Sequence, residues 1–167
     1  MIGSGDREHP LYSSSANSAY MVQNRFYMLK DMKTGKDGSG QTTVTDVDLF
    51  DATSTNYVDD VTKRGFFTST SSQGKKAVNA PLTLSGITSF GTNQPNLPST
   101  TSCTSDLGVA RGYSVSLFSG EHAATVLDGG GLPPSPVAGV VTVDGKKSIN
   151  FALVVVHQRS SLQIPPM

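Results

Sequence analysis

Length, composition and charge already exclude several classes of protein. The chain has 167 residues, with 13 basic and 13 acidic side chains and a formal net charge of zero, which argues against binding nucleic acid by bulk charge. Ser and Thr make up about a quarter of the residues, Gly contributes 17 and Trp is absent, a composition typical of a polar, turn-rich domain. Neither a run of about 20 apolar residues nor a signal-peptide pattern occurs, so the sequence predicts no membrane-spanning segment.

Short strands rather than helices are predicted along the chain. No stretch of about a dozen residues keeps apolar side chains at helical spacing without interruption by Gly, Pro or β-branched residues. An apolar run at residues 26–29 predicts a strand, and the Gly-rich residues 34–40 that follow predict an exposed turn. Alternating apolar side chains predict two more strands, each ending in a Ser-Gly turn or bulge. They are Val78, Ala80, Leu82 and Leu84 before Ser85-Gly86, and Tyr113, Val115 and Leu117 before Ser119-Gly120.

The clearest local signal is a hairpin with Asp144-Gly145 at its tip. Asp-Gly suits the positive φ angles of a type I′ turn, and the flanking segments 140–143 and 146–156 are rich in β-branched residues. A two-residue loop places Val143 opposite Lys146 and Val140 opposite Ile149. Towards residue 156 both faces of the second strand become apolar, which predicts that it is covered on both sides.

Three polar segments are predicted as loops, at residues 68–72, 92–104 and 128–136. The last of these places three glycines just before three prolines, a combination that shapes a crossing rather than a strand. Strand spacing and turn signals together predict an all-β sandwich, barrel or propeller.

A cluster of four ionisable side chains lies near the start of the chain. Asp6, Arg7, Glu8 and His9 could in principle perform acid–base chemistry. A solvated or salt-bridged loop ahead of Pro10 is the favoured interpretation, because most clusters of charged residues are simply exposed.

Three histidines and one cysteine complete the set of reactive side chains. His9, His122 and His157 could supply a Ser-His-Asp triad, but no Gly-x-Ser-x-Gly motif localises one. His157 ends an apolar strand and His122 is predicted as a turn residue. Cys103 is the single cysteine, so it is either a free thiol or pairs outside this chain.

Acidic residues that are close in sequence could suggest calcium. Asp37 starts no series of ligands at the spacing of an EF-hand loop, and Asp46, Asp48 and Asp51 are equally typical of a strand edge or a helix start. A calcium site on these residues is therefore disfavoured.

Basic residues beside aromatic ones raise the question of nucleic-acid stacking. Arg25 precedes Phe26 and Tyr27, and Arg111 lies near Tyr113. Zero net charge and the lack of a basic stripe favour core packing of the rings with exposed guanidinium groups, so no nucleic-acid partner is predicted.

Six stretches spread along the chain carry a family resemblance. They are residues 3–11 (GSGDREHPL), 24–31 (NRFYMLKD), 78–82 (VNAPL), 90–95 (FGTNQP), Cys103 with 107–113 (LGVARGY), and 129–137 (GGGLPPSPV). In this order they resemble the C-terminal β-propeller of the PilY family of type IV pilus tip-associated adhesins. The resemblance covers nearly the whole chain.

The resemblance implies a non-enzymatic protein of the cell surface, pilus tip or outer membrane. Family members act in pilus assembly, in opposing pilus retraction, and in adhesion and twitching motility. The implied partners are pilins or minor pilins and a surface or host receptor. Blades that pack on both faces would also account for the doubly apolar end of the strand at residues 148–156.

The resemblance also implies that the chain is part of a larger propeller. At roughly 40 to 50 residues per blade, residues 1–167 supply about three or four blades of a seven-bladed type, as one C-terminal portion without a second domain. The missing signal peptide and unpaired cysteine are expected consequences. Calcium in this family binds an Asp/Asn-rich loop upstream of the matched stretches, so we predict no catalytic, cofactor-binding or metal-binding residue in this chain.

Two other functions stay open. A stand-alone extracellular β-sandwich that binds carbohydrate is favoured by the hydroxyl-rich loops and disfavoured by the lack of Trp for sugar stacking. A hydrolase that uses one of the three histidines is the third possibility.

Overall fold

Strands dominate the computed structural model, which describes residues 1–31, 43–70, 72–98, 106–143 and 146–152. Within these residues the secondary structure consists of strands and one 3-10 helix, Asp46–Asp48. The strands are β1 (Ile2–Gly3), β2 (Arg25–Leu29), β3 (Phe50–Asp51), β4 (Gly65–Ser69), β5 (Lys76–Ala77), β6 (Leu82–Leu84), β7 (Ile87–Gln94), β8 (Val109–Ser116), β9 (His122–Leu127), β10 (Val137–Val143) and β11 (Lys146–Ala152). The prediction of an all-β chain is confirmed.

Four strands form the first sheet, called sheet A, in the order β1-β2-β4-β3. Its strands pair antiparallel except for β3, which lies parallel to β4 with Phe50 opposite Phe66. Gly65 opens β4 at a φ of +131°, and a Cβ at this position would collide with the carbonyl group of Met28. Only glycine therefore allows β4 to start this close to β2.

The second sheet, called sheet B, is an antiparallel meander around β7. The order is β5-β7-β8-β9, and β6 pairs with β7 farther along the same edge. Pro81 lies between the two short strands, and proline lacks the N–H that a continuous strand would need. Ser85 and Gly86 form the turn into β7, with φ angles of 51° and 80°. These positive angles match the hairpin turn that the sequence predicts there.

Aromatic rings hold the two sheets together. Phe26 of sheet A is 1% exposed and stacks on Phe90 of sheet B, with ring centroids 3.8 Å apart and an angle of 4° between the planes. Tyr113 extends the stack, at 5.2 Å from Phe90. The buried cluster around these rings also contains Met28, Ala52, Tyr57, Phe66 and Val115. Burial of these side chains is the main source of stability for the packed sheets.

A Gly-Pro loop, residues 128–136, is bound to sheet B by two asparagines. Asn79 Nδ2 donates a hydrogen bond to Pro134 O (2.7 Å), and Asn79 Oδ1 accepts one from Gly91 N (2.8 Å). Asn93 Nδ2 donates to Gly131 O (2.6 Å). The segment is a loop, as predicted. Its hydrogen bonds hold it against the central strand β7, which lies more than 30 residues earlier in the sequence.

The predicted hairpin register is confirmed. Strands β10 and β11 pair antiparallel, with Val143 opposite Lys146 and Val140 opposite Ile149. Asp144, Gly145 and residues 153–156 lie outside the described residues.

Several local predictions are wrong at their boundaries. The strand expected from Val78 to Leu84 is confined to β6, because Pro81 interrupts the pairing. Residues 68 and 69 belong to β4 and residues 92–94 to β7, although both segments were predicted as loops. His122, expected in a turn, is the first residue of β9. Among the described strands no closed sheet is present, and no propeller blades can be counted.

Candidate functional site

A concave surface lies along the connection between β1 and β2. Two adjoining hollows of about 490 and 310 Å³ share Asp6 and Ala19, and we call them together the N-terminal cleft. The lining residues are Gly5, Asp6, Arg7, Glu8, His9, Leu11, Ser13, Asn17, Ser18, Ala19, Tyr20, Val22 and Asn24. The cleft thus contains the ionisable cluster identified in the sequence.

Asp6 organises this cluster as a compact, exposed loop. Its Oδ1 accepts hydrogen bonds from the backbone N–H groups of Glu8 (3.0 Å) and His9 (3.2 Å), and its Oδ2 lies 2.7 Å from His9 Nδ1. The hydrogen bond from the His9 side chain is the main reason that the pKa of Asp6 is lowered. The His9 side chain itself remains 75% exposed. The cluster thus forms an exposed loop ahead of Pro10, as the sequence predicted.

A buried lysine holds the loop in place through a hydrogen bond to its backbone. Lys76 is 0% exposed, and its Nζ donates a hydrogen bond of 2.6 Å to the carbonyl oxygen of His9. Burial lowers the pKa of Lys76, and the negative charge of Asp6 partly opposes this effect. This lysine therefore fixes the backbone position of the cluster.

Further hydrogen bonds connect the cleft to both sheets. Arg7 Nη1 donates to Val78 O (3.2 Å), and Asn24 Nδ2 donates to Lys75 O (2.9 Å). Asn24 Oδ1 accepts a hydrogen bond from Ser4 Oγ (3.2 Å). Because these bonds join separate segments of the chain, the cleft is held in one geometry.

Aromatic side chains form another part of the wall. Tyr20 makes an edge-to-face contact with Tyr12, at 4.7 Å between ring centroids. Gly74 lies against the ring of Tyr20, where a Cβ would collide with it. The Tyr20 ring is thereby fixed beside the polar cluster.

Arg25 and Arg111, the basic residues beside aromatic ones in the sequence, contact neighbouring side chains of the protein. Arg25 forms an ion pair with Asp46 and lies over the Phe67 ring, 4.4 Å from its centroid. The hydrogen bond that Arg25 donates to the Asp46 carboxylate raises the pKa of Arg25. Arg111 Nη1 donates to Gln94 Oε1 at 3.0 Å.

The other predicted residues lie apart from the cleft or outside the described part. Asp48 accepts hydrogen bonds from Thr45 N and Oγ1, both at 2.8 Å, at the start of the 3-10 helix. Of the two alternatives for this acidic segment, Asp46 and Asp48 lie at a helix start and Asp51 lies in a strand. His122 Nδ1 lies 3.2 Å from Gly120 O, within its own hairpin. Of the residues singled out in the sequence, Asp37, Cys103 and His157 lie outside the described residues.

The described residues contain no group of three His, Cys, Asp or Glu side chains that could hold a metal ion. No helix in this part of the chain has the length and hydrophobicity required to cross a membrane.

Sequence reasoning missed Lys76 and Tyr20. Lys76 sits beside Lys75 in a polar stretch that looks solvated, yet both lysines are buried. Tyr20 follows a Ser-rich segment without any alternation of apolar residues. Their roles depend on contacts with segments more than 40 residues away, such as the 67-residue separation between Lys76 and His9.

Fold and cleft together define an all-β domain with a polar surface cleft. Comparison with known proteins adds no relative, since no family model, curated protein or solved structure matches the chain.

Proposed function

We propose that the chain is a C-terminal part of a PilY-like propeller and acts, without catalysis, in type IV pilus biogenesis and tip-associated adhesion. It would work at the cell surface, pilus tip or outer membrane by presenting a rigid surface to pilins or minor pilins and to a surface or host receptor. Calcium would bind the complete protein, upstream of the stretches matched here. The observation that supports the proposal is the mutual contact of those stretches.

The first three stretches are joined by hydrogen bonds. In stretch 3–11, the Ser4 N–H donates to Arg25 O (2.8 Å), which lies in stretch 24–31. Arg7 Nη1 donates to Val78 O (3.2 Å), the first residue of stretch 78–82. Residues that carry the resemblance thus form one structural unit.

The later stretches are joined in the same way. Asn79 of stretch 78–82 binds Gly91 of stretch 90–95 and Pro134 of stretch 129–137. Asn93 Nδ2 donates to Leu107 O at 3.1 Å, which links stretch 107–113.

Sheet B also suits the proposal. Strands β6, β7, β8 and β9 form an antiparallel meander, which is the strand order of a four-stranded blade, and β5 adds a fifth strand beside β7. Sheet A contacts sheet B through the stacked rings of Phe26 and Phe90, and neighbouring blades also pack through apolar side chains. The proposal includes that this chain supplies about three to four blades of the propeller.

Deletion of the gene that encodes the chain tests the pilus role. We expect fewer surface pili, weaker attachment and smaller twitching zones, all restored by the wild-type gene and by a Gly139→Ala control, whose added methyl group meets nothing within 4 Å. A Gly65→Ala gene, which disturbs the start of β4, should not restore them. Normal piliation and attachment in the deletion strain would reject the assignment.

A carbohydrate-binding β-sandwich is the second candidate. The contact between sheets A and B through the buried rings of Phe26 and Phe90 favours this architecture, because a sandwich holds two sheets together through such side chains. Binding of the isolated chain on a glycan array, together with normal pili in the deletion strain, would favour it over the pilus role.

A further inference from the structure

The N-terminal cleft has the size and rigidity of a small-ligand site. Its hollows of about 490 and 310 Å³ fall within the range of roughly 300–1,000 Å³ that is usual for ligand pockets. Asp6 is held by three hydrogen bonds, and Arg7 by one to Val78. A ligand would therefore meet side chains that are already oriented, which lowers the entropy cost of binding.

Charge narrows the class of ligand. Asp6 and Glu8 outnumber Arg7 among the fully charged side chains of the lining, so an anionic group such as phosphate is disfavoured. Asp6 and Glu8 with His9 do not form a metal-binding group. The polar side chains of the lining suit a ligand that is neutral and rich in hydrogen-bonding groups.

Hydrogen-bonding groups and an aromatic ring lie side by side in the smaller hollow. Asp6, His9 and Asn17 offer planar donors and acceptors, and Ser13 lies in the same lining. Because Nδ1 of His9 is bound to Asp6, its Nε2 is the nitrogen left to meet a ligand on this 75% exposed side chain.

The apolar part of the same hollow is formed by Tyr20 and Leu11. Tyr20 is fixed by Tyr12 and Gly74, and Leu11 is 70% exposed. A sugar ring has hydroxyl groups on its rim and C–H groups on its faces, so it needs polar groups beside an aromatic or aliphatic surface. We propose that the N-terminal cleft binds a neutral saccharide, with His9 and Asp6 contacting hydroxyl groups and Tyr20 contacting a ring face. This site goes beyond the proposed pilus role, since it concerns a small ligand bound by the chain itself.

Saturation-transfer NMR on the full chain tests the site with glucose, galactose, mannose and N-acetylglucosamine. At least one of these sugars should bind with a Kd of about 1 mM, as expected for a weak site of this kind, and its ring C–H protons should receive the transfer. His9→Ala and Tyr20→Leu should each weaken binding about tenfold or more, or about 1.4 kcal/mol. The matched control is His122→Ala, which removes a histidine from β9 and should leave binding unchanged.

His9→Ala keeps the test valid if Tyr20→Leu unfolds the loop, because the His9 side chain is mostly exposed. The proposal is overturned if none of the four sugars binds, or if His9→Ala binds as the wild type does. Displacement of the sugar by inorganic phosphate would also overturn it and identify an anion site. Since binding is measured on purified protein, the result is independent of the pilus phenotype.

Discussion

Replacing Phe26 by alanine should remove much of the stability of the chain. Phe26 is 1% exposed, so almost its whole side chain, roughly 200 Å² of mostly apolar surface, is removed from water. At about 25 cal/mol per Å², and with roughly a third of the area retained by alanine, the lost burial amounts to about 3 kcal/mol. Loss of the stacked contact with Phe90 adds about 1 kcal/mol. The expected total of about 4 kcal/mol is a large part of the roughly 5–15 kcal/mol that stabilises a typical domain.

Urea unfolding followed by circular dichroism measures this loss, since the chain has no Trp to serve as a fluorescent probe. With a slope of about 2 kcal/mol per M, Phe26→Ala should lower the midpoint by about 2 M. The control is Phe118→Ala, whose ring is 73% exposed and whose loss should cost about 0.5 kcal/mol. If the two variants unfold at similar urea concentrations, sheets A and B are not held together through these rings.

Three other substitutions test the buried lysine, the start of β4 and the attachment of the Gly-Pro loop. As the pH approaches about 10.4 from below, the free energy of unfolding should rise, because burial lowers the pKa of Lys76 in the folded chain and the unfolded chain therefore binds the proton more tightly. Lys76→Met should remove this rise, and equal pH slopes for the two proteins in urea titrations would contradict it. Gly65→Ala should cost more than about 2 kcal/mol by thermal unfolding while Gly139→Ala changes little, and a stable Gly65→Ala protein would refute the collision with Met28. Asn79→Ala should cost about 1–3 kcal/mol, since the Gly91 N–H loses its acceptor, and should speed proteolysis at residues 128–136, since Pro134 O loses its donor; unchanged cleavage would argue against this attachment.

Local chemistry made parts of the fold predictable. Asp144-Gly145 between two β-branched segments was enough to predict the register of β10 and β11, because turn length alone determines which residues face each other. Ser85 and Gly86 likewise predicted a turn or bulge, and the structure has a turn there with positive φ at both residues. Both signals lie within a few residues of the feature that they predict.

Other elements depend on contacts that no local pattern contains. Strand β9 was missed because five of its six residues are exposed, so neither face shows the alternation that reports burial on one side. Thr68 and Thr70 were predicted in a loop, yet both are buried, and Thr70 Oγ1 donates to Asn24 O at 2.7 Å. A hydroxyl-rich segment becomes part of the interior when distant backbone groups satisfy it.

The polar cluster was recognised in the sequence, whereas the cleft was not. Asp6 and His9 are three residues apart, so their contact follows from the local turn. Lys76 and Tyr20 reach the same place only through the packing of sheet B against the N-terminal loop. From the sequence alone, neither residue could therefore be distinguished from an ordinary surface side chain.

The long sequence separations of the tertiary hydrogen bonds have a consequence for folding kinetics. Lys76 binds His9 across 67 residues, Asn79 binds Pro134 across 55, and Thr88 Oγ1 contacts Met1 Sδ across 87. Such contacts give no stability until a large loop of chain has been closed, so refolding should take milliseconds to seconds rather than microseconds. During synthesis, residues 5–24 can dock only after β5 and β7 have left the ribosome. The segment that forms the cleft therefore docks late on the nascent chain.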